Sequence, residues 1–182
     1  MLRYASVSVW VPGDRLNLVG SVAEIVSALG GSLQHLASDI ARLGVAALED
    51  EHTGLRRNGA FLGGQIMEHL TEGLSDEEVA AVLDSIVKCA RRTEDSDAYC
   101  VDNGVAAASR ALLAQVPQAT AHLTDILNVI VASLPLLRDH EEDAPVYGLL
   151  TQLLDDPPPS LVEQRELSST CLEALLAATV PD

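Results

Sequence analysis

Apolar residues recur at helical spacing along most of the chain. Between residues 76 and 92, Val79, Val82, Leu83, Ile86, Val87 and Ala90 fall on one face of a helix. Ser75, with Glu78 three places on, predicts a capping box at its start. Residues 121–134 carry a second stripe of Leu123, Ile126, Leu127, Ile130, Val131 and Leu134, ended by Pro135. Earlier stripes run through Leu16, Val19, Val22, Ile25, Val26 and Leu29, and through Leu33, Leu36, Ile40, Leu43 and Leu48, with Gly30-Gly31 between them.

Four more segments follow the same rule. Leu55, Leu62, Ile66 and Leu70 predict a helix ending near Gly73; Val101, Val105, Ala108 and Leu112 predict one ending before Pro117. Asp143 and Pro145 open a helix carrying Val146, Leu149, Leu150, Leu153 and Leu154. Beyond Pro157 to Pro159, Ser160 with Glu163 reads as a capping box for a last helix bearing Leu161, Leu167, Leu172, Leu175 and Leu176. Only Val7, Val9 and Val11 hint at a strand. The expected class is all-α.

Internal spacing separates a bundle from an array. Arg57-Asn58-Gly59 lies over Asp102-Asn103-Gly104 at a shift of 45, and Asn103-Gly104 over Tyr147-Gly148 at a shift of 44. Acids precede these helices at a common offset: Glu49, Asp50 and Glu51, then Glu94, Asp95 and Asp97, then Asp139, Glu141 and Glu142, with Asp14 before the first. A two-helix period of roughly 40 to 47 residues is that of HEAT and armadillo arrays. The expectation is an α-solenoid of about four helix pairs, at residues 14–50, 51–93, 94–138 and 139–182. First helices at 14–29, 53–72, 98–116 and 144–155 would line the convex face, and the helix following each would line the concave one. Residues 1–13, with Tyr4, Val7, Val9, Trp10 and Val11, read as the remnant of a preceding repeat or a tail.

Composition narrows the chemistry. The chain of 182 residues is 48% apolar with only five aromatic residues, and 27 acids against 11 bases leave a formal charge of −16. Lys88 is its one lysine. Such a surface repels phosphate, so nucleic acid is not an expected partner. It suits a basic protein partner, or serves to keep an apolar stack in solution. No run of about 18 apolar residues is found, so no membrane insertion is expected. Cys89, Cys100 and Cys171 are odd in number and lack metal-ligand spacing, which predicts buried thiols rather than a disulfide or zinc site.

Three motifs carry a resemblance. The segment Ser133-Leu134-Pro135-Leu136-Leu137-Arg138-Asp139-His140-Glu141-Glu142-Asp143, followed by Tyr147 and Leu149-Leu150, resembles a stretch near the C-terminus of importin-β family transport receptors, closest to the importin four and five type. Asp102-Asn103-Gly104 with residues 107–113 is similar to the Asp-Asn helix of the adjacent repeat. Leu55-Arg56-Arg57-Asn58-Gly59-Ala60 is similar to the helix entry one repeat earlier. The resemblance covers residues 14 to the end. It implies HEAT repeats, nuclear import with shuttling between cytoplasm and nucleus, and binding of basic cargo and Phe-Gly nucleoporins. It places binding of Ran-GTP in repeats toward the N-terminus of such receptors, outside the matching stretch.

For a cargo surface the candidates are acids on the second helices: Asp39, Asp84, Asp125, Glu163, Glu166 and Glu173. Each alone reads as solvated surface; grouped in a groove they would speed encounter with a basic segment. Phe-Gly binding needs a shallow apolar slot between neighbouring first helices. No catalytic residue, cofactor or metal is expected. Glu68-His69 and His140-Glu141-Glu142-Asp143 lack the His-Glu-x-x-His spacing, and neither a nucleophile elbow nor a phosphate loop is present. Asn58 and Asn103 are expected to bond turn backbone within the stack. The alternative to transport is a HEAT scaffold for another intracellular complex.

Overall fold

A computed structural model describes residues 11–163 and 165–179. The helices are α1 (Pro12–Leu29), α2 (Ala37–Leu48), α3 (Thr53–His69), α4 (Asp76–Ala90), α5 (Ala98–Leu113), α6 (Pro117–Ala121), α7 (Leu123–Ala132), α8 (Asp143–Asp155), α9 (Pro159–Val162) and α10 (Arg165–Thr179). The described residues contain no strand. Residues 1–10, on which part of the strand hint and the preceding-repeat reading fall, lie outside them.

The fold is an all-α solenoid built in two layers. First helices α1, α3, α5 and α8 pack side by side, and second helices α2, α4, α7 and α10 form the other layer. The stripes explain the stacking: Val19, Ala23 and Val26 of α1, Leu55, Leu62 and Ile66 of α3, and Val82 and Ile86 of α4 are buried in one continuous core. Each fully buried Leu or Ile contributes about 1.5–3 kcal/mol relative to exposure. At the predicted capping box, the Ser75 hydroxyl accepts from the Glu78 N–H at 3.3 Å, and the Glu78 carboxylate accepts from the Ser75 N–H at 3.0 Å.

Glycine sets how closely the layers approach. A Cβ on Gly59 would lie 2.7 Å from the Leu48 nitrogen, and one on Gly104 would lie 2.9 Å from the Ala90 nitrogen. At both positions the end of one second helix is pressed onto the first helix of the next pair, α2 onto α3 and α4 onto α5. Nothing lies within 4 Å of the corresponding point on Gly148. There α8 leans on α5 and α10 instead of on α7.

Several expectations need correction. Cys89 and Cys100 are joined by a disulfide, with Cα atoms 6.3 Å apart, and only Cys171 is a free, buried thiol among the described residues. The short connection between α4 and α5 brings the two together, which an odd cysteine count does not reveal. The second helix begins at Ala37, because residues Gly30–Leu36 form a 3-10 helix entered through Gly30 at φ +50°. The expected helix at 121–134 is divided at His122 into α6 and α7 and ends at Ala132, ahead of a cis Leu134–Pro135 bond. Pro158 is the N-cap of α9, so Ser160 stands inside that helix and is not its cap. Asp14 lies in the first turn of α1 rather than before it.

The apolar stripes are not buried throughout. Ile25 and Leu29 of α1, and Leu172 and Leu176 of α10, are exposed at the two ends of the stack. Within the helical stretch Gly13–Leu48, which a 3-10 turn interrupts at Gly30–Leu36, a window of 18 residues reaches a mean hydropathy of 1.4, enough by length and composition alone to cross a membrane, although no run of 18 consecutive apolar residues occurs. In this fold Val19, Ala23 and Val26 are buried and α1 packs on α3.

Candidate protein-binding surface

At least one acid of each inter-pair turn is engaged within the protein. Asp50, before α3, receives Arg15 of α1 at 2.5 Å. Asp97, before α5, is fully buried; it accepts from Arg56 of α3, whose Nε is 3.1 Å away, and from Arg92 at 3.3 Å. Arg56 also donates to the carbonyls of Asp50 at 2.9 Å and Glu51 at 2.7 Å, joining three pairs at one guanidinium. Asp139, before α8, accepts from Arg57 at 2.9 Å and from the Asn103 amide at 2.8 Å. Glu142 accepts from Arg110 at 2.6 Å.

These bonds tune charge as well as geometry. Burial pushes the Asp50 carboxyl upward, but the His52 N–H and the Arg15 guanidinium outweigh it and leave the group below the usual carboxylate range. The Ser75 N–H and the Ser38 hydroxyl lower Glu78 in the same way. Asn103 also donates to the Tyr99 carbonyl at 2.9 Å, and Asn58 donates to the Leu16 carbonyl of α1 at 2.9 Å. The asparagines therefore reach helix backbone and, for Asn103, a turn carboxylate, instead of turn backbone. Sequence reasoning noticed the recurring acids but not their partners. The signal was present, since Arg15, Arg56 and Arg110 each sit on the first helix one pair earlier, and Arg57 on the first helix two pairs earlier.

Asp102 fills a separate role. Its buried carboxylate accepts from the backbone N–H groups of Leu137, Arg138 and Asp139, at 3.1, 2.6 and 2.9 Å. The turn leading into α8 is thereby tied to α5.

The candidate cargo acids Asp39, Asp84, Asp125, Glu163, Glu166 and Glu173 are all exposed. Asp39 is paired with Arg42, and Glu173 accepts from Ser169 at 3.4 Å. The structure brings three of them to neighbouring grooves. Asp125 lines a groove of about 620 Å³ between the α4–α5 connection and α7, with Arg91, Val101, Val129, Leu134 and Pro135. Glu163 and Glu166 line a groove of about 600 Å³ between α7 and α10, with Val131, Leu167 and Thr170. Asn128 of α7 borders both. Asp39, Asp84 and Glu173 line neither.

Between the first helices, a cleft of about 730 Å³ is lined by Gln65, Glu68, His69, Arg110, Leu113 and Pro145 among others. Its polar walls differ from the apolar slot that a Phe ring needs. His69 Nε2 and Glu68 Oε1 are 3.9 Å apart despite being sequence neighbours, and His140 lies 3.6 Å from Asp143. Among the described residues no group of three His, Cys, Asp or Glu side chains could hold a metal ion.

No family model matches the chain. It is similar to the probable importin subunit beta-4 of Schizosaccharomyces pombe, 27% identical over 150 residues that make up 82% of this chain. The chain spans 14% of that relative's length.

Proposed function

We propose that this chain is a protein-binding segment of a nuclear transport receptor of the importin-β kind, shuttling between cytoplasm and nucleus. The observation that carries the reading is the similarity to an importin subunit over 82% of a chain that folds as a two-layer helical solenoid. In this reading the helix pairs at 14–50, 51–93, 94–138 and 139–182 are HEAT repeats. Basic cargo meets the second-helix layer, where Asp125, Glu163 and Glu166 stand beside adjoining grooves of mixed polarity. Exposed carboxylates there raise the encounter rate with basic segments.

The test is equilibrium binding to a Phe-Gly repeat fragment at physiological salt, beside a fragment with every Phe changed to Ser. Saturable binding lost in the Ser fragment supports transport. A second reading, a HEAT scaffold for another intracellular complex, is favoured by the polar lining of the first-helix cleft. It predicts no Phe-dependent binding and one stable partner.

A further inference from the structure

Residues 91–96 run exposed between α4 and α5, and Asp97 is buried at their far end. Polar ties fasten this stretch. Asp97 accepts from Arg56 and Arg92, and the N–H groups of Arg91, Arg92 and Asp97 bond to the carbonyls of Val87, Cys89 and Glu94 at 3.2, 3.2 and 2.8 Å. The Cys89–Cys100 disulfide closes the base of the same loop, from the last turn of α4 to the first turn of α5. Arg91, Thr93, Glu94 and Asp95 of the loop form one wall of the 620 Å³ groove, across from Asp125 and Val129 of α7. We propose that the Cys89–Cys100 pair is a dithiol–disulfide switch that holds this groove wall in place when oxidised and releases it when reduced. The inference concerns the groove itself and needs no occupant, so it stands or falls apart from the transport reading.

The place of the pair favours a switch over a staple of the core. α4 and α5 pack against each other without it, closely enough that a Cβ on Gly104 would lie 2.9 Å from the Ala90 nitrogen. The freedom that the crosslink removes is therefore chiefly that of the loop it closes. Both cysteines are 1% or less exposed, so a reducing thiolate reaches sulfur only when the exposed loop lifts. The reductant is a dithiol. Its thiolate bonds to one sulfur of the pair, the Sγ–Sγ bond breaks, and the other sulfur leaves with the bonding electrons. The second sulfur of the reductant then displaces the mixed disulfide. The dithiol ends as a disulfide, while its two electrons and two protons end on Cys89 and Cys100 as thiols; the oxidised form of the same couple reverses each step. The reduced state has a bond waiting, because Cys89 Sγ lies 3.3 Å from the Cys100 carbonyl oxygen, to which its S–H donates.

The experiment follows amide hydrogen exchange of the whole chain by NMR, oxidised and then reduced with dithiothreitol in native buffer, with alkylation and mass measurement to count thiols. Exchange at Arg91, Arg92 and Asp97 is expected to rise by about tenfold to a hundredfold on reduction. Core amides of α1, α3 and α8 are expected to keep their protection, and the methyl resonances of Val129 and Leu134 across the groove to shift. Oxidised dithiothreitol should restore both. The double variant Cys89→Ser, Cys100→Ser is expected to match the reduced form and to ignore dithiothreitol. If that variant does not fold, the reduction and reoxidation cycle of the unaltered chain still decides. A pair that fails to close with oxidised dithiothreitol, reduction only on global unfolding, unchanged exchange or groove resonances after reduction, loosening of the whole stack, or a dithiothreitol response in the double variant would overturn the proposal.

Discussion

The junctions inside the stack and the junction before its last pair are built differently. At Gly59 and Gly104 the preceding second helix sits so close that no Cβ fits, and α3 and α5 lie flat against each other. At Gly148 the same register is open, and α8 rests on α5 and α10. At the inner junctions this steric fit stands beside ion pairs, Arg15 with Asp50 and the buried Arg56 with Asp97. Polar ties govern the last one, through Asp102 holding the turn at Leu137 to Asp139 and Arg110 holding Glu142. A sequence repeat of Gly thus marks a position, while the contact it permits depends on whether a neighbouring helix arrives there.

The largest expected effect tests the inner side. Arg56→Ala leaves the buried Asp97 with only Arg92 and strips donors from the carbonyls of Asp50 and Glu51. We expect a loss of about 3–5 kcal/mol in urea unfolding, spread over the whole stack. Asp102→Ala tests the outer side. Removing the acceptor for three backbone N–H groups is expected to cost about 2–3 kcal/mol. Hydrogen exchange should then rise chiefly in α8 to α10; uniform loosening of α1 to α10 would contradict the division.

The glycines give opposite signs. Gly59→Ala and Gly104→Ala place a methyl against backbone and are expected to destabilise by about 1–3 kcal/mol. Gly148→Ala meets nothing and gains helix propensity, so it is expected to stabilise by about 0.4–1 kcal/mol. Thermal melts of the three variants check this, and equal signs would erase the distinction between the junctions.

The smallest effect is pH dependence at the first junction. The Asp50 carboxyl is depressed in the folded state, so its contribution is present above the ordinary Asp value near 4 and fades as pH falls through the lower folded value. Arg15 is one-third exposed, which limits the contribution to about 0.5 kcal/mol. In Arg15→Ala the stability lost between pH 5 and pH 3 should shrink by about that amount in acid titrations followed by circular dichroism.

Much of this fold was legible because helical periodicity and capping are local. The stripe at Val79 to Ala90 and the Ser75–Glu78 box need only their own neighbours to be read. The breaks at Gly30 and His122 were less legible, since Leu33 and Leu36 keep helical spacing in a 3-10 turn. The candidate acids were recognisable as a class, but only three of them reach the paired grooves. The burial of Gln65 carried no signal at all: a lone glutamine in a helix reads as surface.

The order of apolar stripes, the acidic turns and the Gly register determined by themselves that the chain forms paired helices in series, because burying a one-sided stripe requires a neighbour of the same kind. Which acids are exposed, which are buried against arginine, that Cys89 meets Cys100, and that Gly148 faces open space were decided by tertiary structure. These depend on how far one helix pair is displaced along the next, a distance set by the whole packed interface and written in no single segment.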